Sequence, residues 1–186
     1  LSNSLAALAG AVSSGVGLNE AITAMAQSPQ VPGRIELVGS VNNVQCFVDY
    51  AHTPDAVENV CKAMKALCRN GRLITIFGCG GDRDRTKRPK MGEAVASRSD
   101  IAIVTSDNPR TEDPEAILDD VMPGLADARK AYREADRRKA LELAVSLLQP
   151  GDALLVAGKG HEDYQIIGTT KHHFSDQEIL KELISC

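Results

Sequence analysis

Four short segments of this 186-residue chain gather the side chains that bind small charged molecules. The first, Asp49-Tyr50-Ala51-His52-Thr53-Pro54-Asp55, offers a carboxylate that can accept both hydroxyls of a ribose and a tyrosine ring that can wall a base. The same residues would also serve as a turn and helix-capping network, and a loop histidine such as His52 is more often a local hydrogen-bonding group than a catalyst. The second runs from Gly78 to Lys90 and combines Gly78, Gly80 and Gly81 with Arg83, Arg85, Lys87, Arg88 and Lys90. Glycines let a backbone approach a ligand closely, and arginine forks match carboxylate or phosphate geometry. Asp82 and Asp84 break the positive field and no aromatic residue is interleaved, so the segment reads as a small-anion site rather than a nucleic-acid patch. A solvated loop with local ion pairs is the competing role.

The third segment, Asp107-Asn108-Pro109-Arg110, holds a guanidinium on a turn that Pro109 stiffens. The fourth, Gly158-Lys159-Gly160-His161-Glu162, exposes backbone amides and carries a carboxylate. An arginine on one loop and a glutamate on another form the complementary pair that an amino-acid zwitterion requires, unless Arg110 and Glu162 pair with each other. His52, His161, His172 and His173 show no metal-ligand spacing with acids or thiols. Neither G-x-x-x-x-G-K-[ST] nor G-x-G-x-x-G occurs in the chain.

These segments need a scaffold that brings them together. Residues 3–27 read as two short helices, followed by a turn-prone linker over 28–33 and a domain boundary near residue 33. Strands are expected at 35–41 and 45–50, joined by a hairpin turn at Asn42-Asn43, then at 73–77, 101–105 and 153–157. Helices are expected at 53–68, 89–98, from 114, at 136–148 and at 176–184. Thr53 with Pro54, Asp113 with Pro114, and the capping box of Ser175 and Glu178 supply their start signals. Alternation of strand and helix at this spacing predicts a doubly wound α/β sheet, mostly parallel and Rossmann-like, with helices on both faces. Ligands bind such sheets outside the carboxyl ends of the strands, where all four segments fall.

Composition narrows the function classes. The chain is 43% hydrophobic and 25% charged with a formal charge of −4, which gives no global field for nucleic acid or an anionic membrane. No apolar run approaches the roughly 20 residues that span a bilayer, and no secretion signal is visible. Five cysteines at 46, 61, 68, 79 and 186, without a C-x-x-C pair, read as free thiols of a cytoplasmic protein. The first residue is Leu rather than Met, from which we expect the chain to start within a longer protein.

Taken in order, the four segments and Thr105-Ser106-Asp107-Asn108-Pro109-Arg110-Thr111-Glu112-Asp113-Pro114 resemble the C-terminal domain of Mur ligases, in particular members that add meso-diaminopimelate. The resemblance covers nearly the whole chain. It implies that residues 1–32 are the last helices of a central ATPase domain and that 33–186 are the C-terminal domain. It places Asn3 near the adenine, Arg34 toward the ATP phosphates, Asp49 on the ribose, and Tyr50 and His52 beside the nucleotide. Meso-diaminopimelate would meet Arg83, Asn108, Arg110, Gly158 and Glu162, with Asp107 part of the same signature. The implied reaction is ATP-dependent amide formation on a UDP-N-acetylmuramoyl dipeptide through an acyl phosphate. Mg²⁺ and the phosphorylating residues would belong to the missing central domain, so no catalytic or metal-binding residue is expected in this chain. The implied partners are those small molecules and the protein's own central and N-terminal domains, in a cytoplasmic monomer with no nucleic-acid or membrane partner. A lysine side chain would leave Arg110 without a carboxylate in a desolvated pocket, a mismatch of about 2 to 4 kcal/mol. A ligase of the same fold for lysine or folate-linked glutamate, and a stand-alone nucleotide or amino-acid binding module, are the alternatives.

Overall fold

Runs of β-branched and aliphatic residues build the centre of the molecule. In the computed structural model the described residues are 4–68 and 71–185, together with the backbone of Ser2 and Asn3. The chain divides into two compact units, Leu1–Gln30 and Val31–Cys186. The first consists of two helices, α1 (Ser2–Ser13) and α2 (Leu18–Ala26).

The second unit starts with a hairpin of β1 (Glu36–Val41) and β2 (Val44–Asp49). Asn42 and Asn43 turn it at φ of 49° and 64°, the left-handed region that asparagine tolerates. There follow α3 (Pro54–Leu67), β3 (Leu73–Cys79), α4 (Lys87–Ala96), β4 (Ile101–Ser106), α5 (Pro114–Val121), β5 (Ala131–Arg133), α6 (Arg137–Leu147) and β6 (Ala153–Ala157). A small hairpin, β7 (Tyr164–Ile167) and β8 (Thr170–His173), precedes the final helix α7 (Asp176–Ile184). Strand order in the six-stranded sheet is β1-β2-β6-β3-β4-β5. Within this sheet β1 and β2 pair antiparallel and the other neighbours pair parallel.

The period-two alternation of each strand splits the core. Leu73 and Phe77 face one side with Val57, Cys61 and Met64 of α3, Met91 and Val95 of α4, and Leu118 and Val121 of α5. Ile74 and Ile76 face the other with Ala140 and Leu141 of α6 and Ile179 and Leu180 of α7. The fold is therefore a doubly wound, mostly parallel α/β sheet with helices on both faces. Three short strands, β5, β7 and β8, were not expected. The fourth helix starts at Lys87 rather than 89: Pro89 sits inside the first turn, where no amide donor is needed, and not at its first position. Cys46, Cys61 and Cys68 are buried free thiols, Cys79 is half-buried, and Cys186 lies outside the described residues.

Parallel register fixes the place of the loops. Asp49 pairs with Ala157 across β2 and β6, and Cys79 with Ser106 across β3 and β4. The carboxyl ends of four strands thus lie along one rim, and the loops that leave them are the four segments singled out above.

Candidate functional site

Those loops enclose a cavity of about 580 Å³. Tyr50 and His52 line it from the end of β2, Arg83 from the end of β3, Asp107, Asn108 and Arg110 from the end of β4, and Gly158 and Glu162 from the end of β6. Cys79, Arg88 and Tyr164 also line it; Arg88 was among the basic side chains of the expected anion segment, while Cys79 and Tyr164 lay in the expected loops without a role of their own. Arg34 and Asp49, also expected at the site, are not among its lining residues. The side chain of Asn3 lies outside the described residues.

Asp49 is buried, and its two carboxylate oxygens accept hydrogen bonds of 2.8 Å from the Ile35 and Ala51 amides. Its carbonyl accepts from the Gly158 amide at 3.0 Å, joining the β2 and β6 loops. Asp49 thus fills the turn-holding role, and each carboxylate oxygen keeps further lone pairs. Tyr50 is the centre of a polar aromatic cluster. The Arg34 guanidinium lies 5.0 Å over its ring, and the His52 and His161 rings stand 4.7 Å and 5.3 Å away. Gly160, at φ of 54°, packs so closely on Tyr50 that a Cβ there would lie 2.6 Å from the tyrosine Cβ.

Glu162 faces this cluster on one side and the β4 loop on the other. Its Oε1 accepts from the Tyr50 hydroxyl at 3.3 Å and its Oε2 from the Asn108 amide at 3.2 Å. Burial and the Glu162 charge push the Tyr50 phenol above its ordinary pKa, so it stays a donor. Arg110 does not pair with Glu162. One of its terminal nitrogens donates to the carbonyls of Gly81 at 2.8 Å and Asn108 at 3.3 Å. Among the described residues its other donors make no hydrogen bond, which leaves them for a carboxylate. Arg110 sits at φ of 52°, a strained conformation for a residue with a side chain. Its amide donates to the Ile166 carbonyl at 3.0 Å and its carbonyl accepts from Gly168 at 2.7 Å, so the β7–β8 hairpin over-determines that conformation.

Two buried arginines hold the rim. Arg88 makes a two-point contact with Glu112 at 2.9 and 2.7 Å and also reaches Asp120 at 2.8 Å, fastening the β3 loop to the β4 loop and α5. The Arg88 contact, helped by the Asp82 amide, holds the Glu112 carboxyl down at about 2. Arg137 contacts Asp176 at 2.8 Å through two nitrogens and donates to the carbonyls of Ser106 and Ala157, the last residues of β4 and β6. Neither ion pair was readable from sequence, because each carboxylate partner lies more than 20 residues away. Lys159 was noted only as part of a glycine turn; its side chain is fully buried. Burial pushes the Cys79 thiol up to about 12, against the pull of the Arg88 cation.

The model of the Mur ligase, glutamate ligase domain matches residues 33–160. A UDP-N-acetylmuramoyl-L-alanyl-D-glutamate–2,6-diaminopimelate ligase of Lawsonia intracellularis is 54% identical over 156 residues, which are 84% of this chain and 32% of that protein. A solved structure of a ligase of the same name superposes with a TM-score of 0.78 at 40% identity, covering 97% of this chain and 37% of that one. E. coli FolC in complex with ADP superposes with a TM-score of 0.63 at 27% identity, covering 86% and 36%. The chain spans between 32% and 38% of the length of the curated relatives it matches. With the sheet order, the cavity at its carboxyl rim and these matches together, the chain belongs to the Mur ligase family.

Proposed function

We propose that this chain is the amino-acid-binding part of an ATP-dependent ligase that joins meso-diaminopimelate to UDP-N-acetylmuramoyl-L-alanyl-D-glutamate. The observation that carries the reading is the pair Arg110 and Glu162, placed in one cavity and kept apart by partners of their own. An arginine with spare donors and a glutamate with spare lone pairs match a carboxylate and an ammonium on one small molecule. Meso-diaminopimelate has one more carboxylate than lysine, and Arg110 supplies its partner. The relatives' names support the same substrate.

In this reading the γ-carboxylate of the dipeptide takes a phosphoryl group from ATP, releasing ADP. The diaminopimelate amine then attacks the acyl carbon, the carbon–oxygen bond to phosphate breaks, phosphate leaves, and the amine nitrogen gives up a proton. The chain's own residues act by orientation: Arg83, Asn108, Arg110, Gly158 and Glu162 hold the amino acid so that its amine reaches the acyl carbon, a contribution of several kcal/mol. Asp49, Tyr50, His52 and Arg34 form the nucleotide side. Residues 1–32 complete a central ATPase domain carried by the rest of the protein. Among the described residues no group of three or more His, Cys, Asp or Glu could hold a metal ion, so no step is assigned to Mg²⁺ here. None of the helices is long and apolar enough to cross a membrane among those residues; the reading is of a cytoplasmic monomer.

The test is steady-state kinetics of the full-length ligase carrying Arg110→Ala. The KM for meso-diaminopimelate should rise tenfold or more while the KM for ATP stays within twofold. An unchanged diaminopimelate KM removes Arg110 from the pocket and with it the reading.

A further inference from the structure

Lys159 stands on the loop that carries Glu162 and reaches across to Asn108 on the loop that carries Arg110, and its side chain has no exposure. Its ammonium donates to the Tyr164 carbonyl at 2.6 Å and to Asn108 Oδ1 at 3.2 Å, and lies 3.3 Å from Asp107 Oδ1. Burying an ammonium is costly, and desolvation lowers the pKa of this one while Asp107 opposes the shift. Nothing in the proposed chemistry uses that charge. A buried lysine kept at such cost in the middle of a ligand loop calls for a role, and its contacts define one.

An asparagine amide can sit in either of two flipped orientations of nearly equal shape. At Asn108 two donors converge on the same oxygen: Lys159 Nζ and the Ile166 amide, the latter at 2.9 Å. Flipping the amide would turn its NH₂ group against both. The orientation is therefore fixed with Nδ2 toward Glu162 Oε2 at 3.2 Å. We propose that Lys159 is a positioning residue for amino-acid recognition: through Asn108 it holds the Glu162 carboxylate in the pose that receives the substrate's ammonium. Resting on the reading of this cavity as an amino-acid pocket, the proposal adds a residue that does not itself line the cavity.

The experiment uses full-length ligase and compares Lys159→Met, Glu162→Gln and the double variant, with Arg110→Ala as the control for the pocket. Lys159→Met should raise the meso-diaminopimelate KM about tenfold or more while kcat and the ATP KM remain near wild type. Combined with Glu162→Gln it should add almost nothing, because both changes act on recognition through the same carboxylate. A merely structural lysine would give additive losses and a changed kcat or ATP KM, and either result overturns the proposal. A wild-type diaminopimelate KM for Lys159→Met overturns it as well. If Arg110→Ala is also silent, the amino-acid reading itself has failed; if it shows its defect, only the role of Lys159 has. Should Lys159→Met not fold, Lys159→Gln takes its place: it keeps a polar side chain there but is one atom too short to reach Asn108 Oδ1 as the lysine does. It should raise the diaminopimelate KM with kcat and the ATP KM near wild type, and an unchanged diaminopimelate KM overturns the proposal.

Discussion

Glu112 illustrates how much of the site is made by residues that touch no ligand. Its carboxylate takes two hydrogen bonds from buried Arg88 and a third from the Asp82 amide, and so joins the β3 loop to the β4 loop. These contacts bring its pKa from an ordinary 4.5 to about 2. A carboxylate with a lowered folded pKa binds fewer protons than in the unfolded chain, so its contribution is complete above about pH 4.5. It is lost as pH falls toward 2. Glu112→Gln should therefore lower the melting temperature at pH 7 and narrow the gap to wild type between pH 4.5 and 2, which thermal melts across that range will check. Residue types at the site were legible: Arg110, Glu162, Tyr50 and Asn108 all line the cavity that their loops were expected to form. What each one pairs with was not legible. Whether Arg110 and Glu162 neutralise each other depends on Asn108, Tyr50 and Gly81 intervening, and a sequence carries no distances. Asp49 is the clearest case, since turn-holding and ribose-binding roles were posed as alternatives and its buried carboxylate already fills the first.

At the scale of elements, the period-two and period-3.6 patterns were long enough to identify β1 to β4, β6 and all seven helices. The loops that follow these strands fall on the carboxyl rim as the doubly wound rule requires. The strands that escaped were short and polar or weakly patterned. β5 has three residues, and β8, Thr170–His173, is exposed throughout, so no hydrophobic alternation marks it. Yet β7 and the turn after it hold the Arg110 backbone in place, so a hairpin too short to be marked in the sequence fixes a residue of the cavity. Close packing between loops was equally silent in the sequence. Gly81 lies so near Pro109 that a Cβ would fall 1.8 Å from the proline carbonyl oxygen. Gly81→Ala must push the two loops apart, and Arg110 anchors on the Gly81 carbonyl itself. We expect a loss of about 1 to 3 kcal/mol in stability, together with a higher diaminopimelate KM, read from thermal melts and steady-state kinetics.

For the molecule as a whole, the formal charge of −4 conceals a rim of mixed sign, with Arg83, Arg110 and Lys87 against Asp107 and Glu162 around one cavity. Under the proposed function this chain contributes one wall of a reaction whose phosphoryl chemistry lies elsewhere, for it contains no G-x-x-x-x-G-K-[ST] loop. The chain alone should bind meso-diaminopimelate weakly by calorimetry and release no ADP from ATP in the presence of that amino acid and the UDP-linked dipeptide. ADP release dependent on both would show that the phosphorylating machinery is here after all.

Arg137 has a temporal consequence. Its guanidinium ties the last carbonyls of β4 and β6 together, and it is neutralised by Asp176 at the start of the final helix. A buried arginine stripped of its carboxylate costs about 3 to 5 kcal/mol. During synthesis, every residue of the cavity has emerged by Tyr164, but the clasp between its two halves closes only once Asp176 follows. A nascent chain halted in between carries every cavity side chain while the arginine that ties its rim together still lacks its counter-charge.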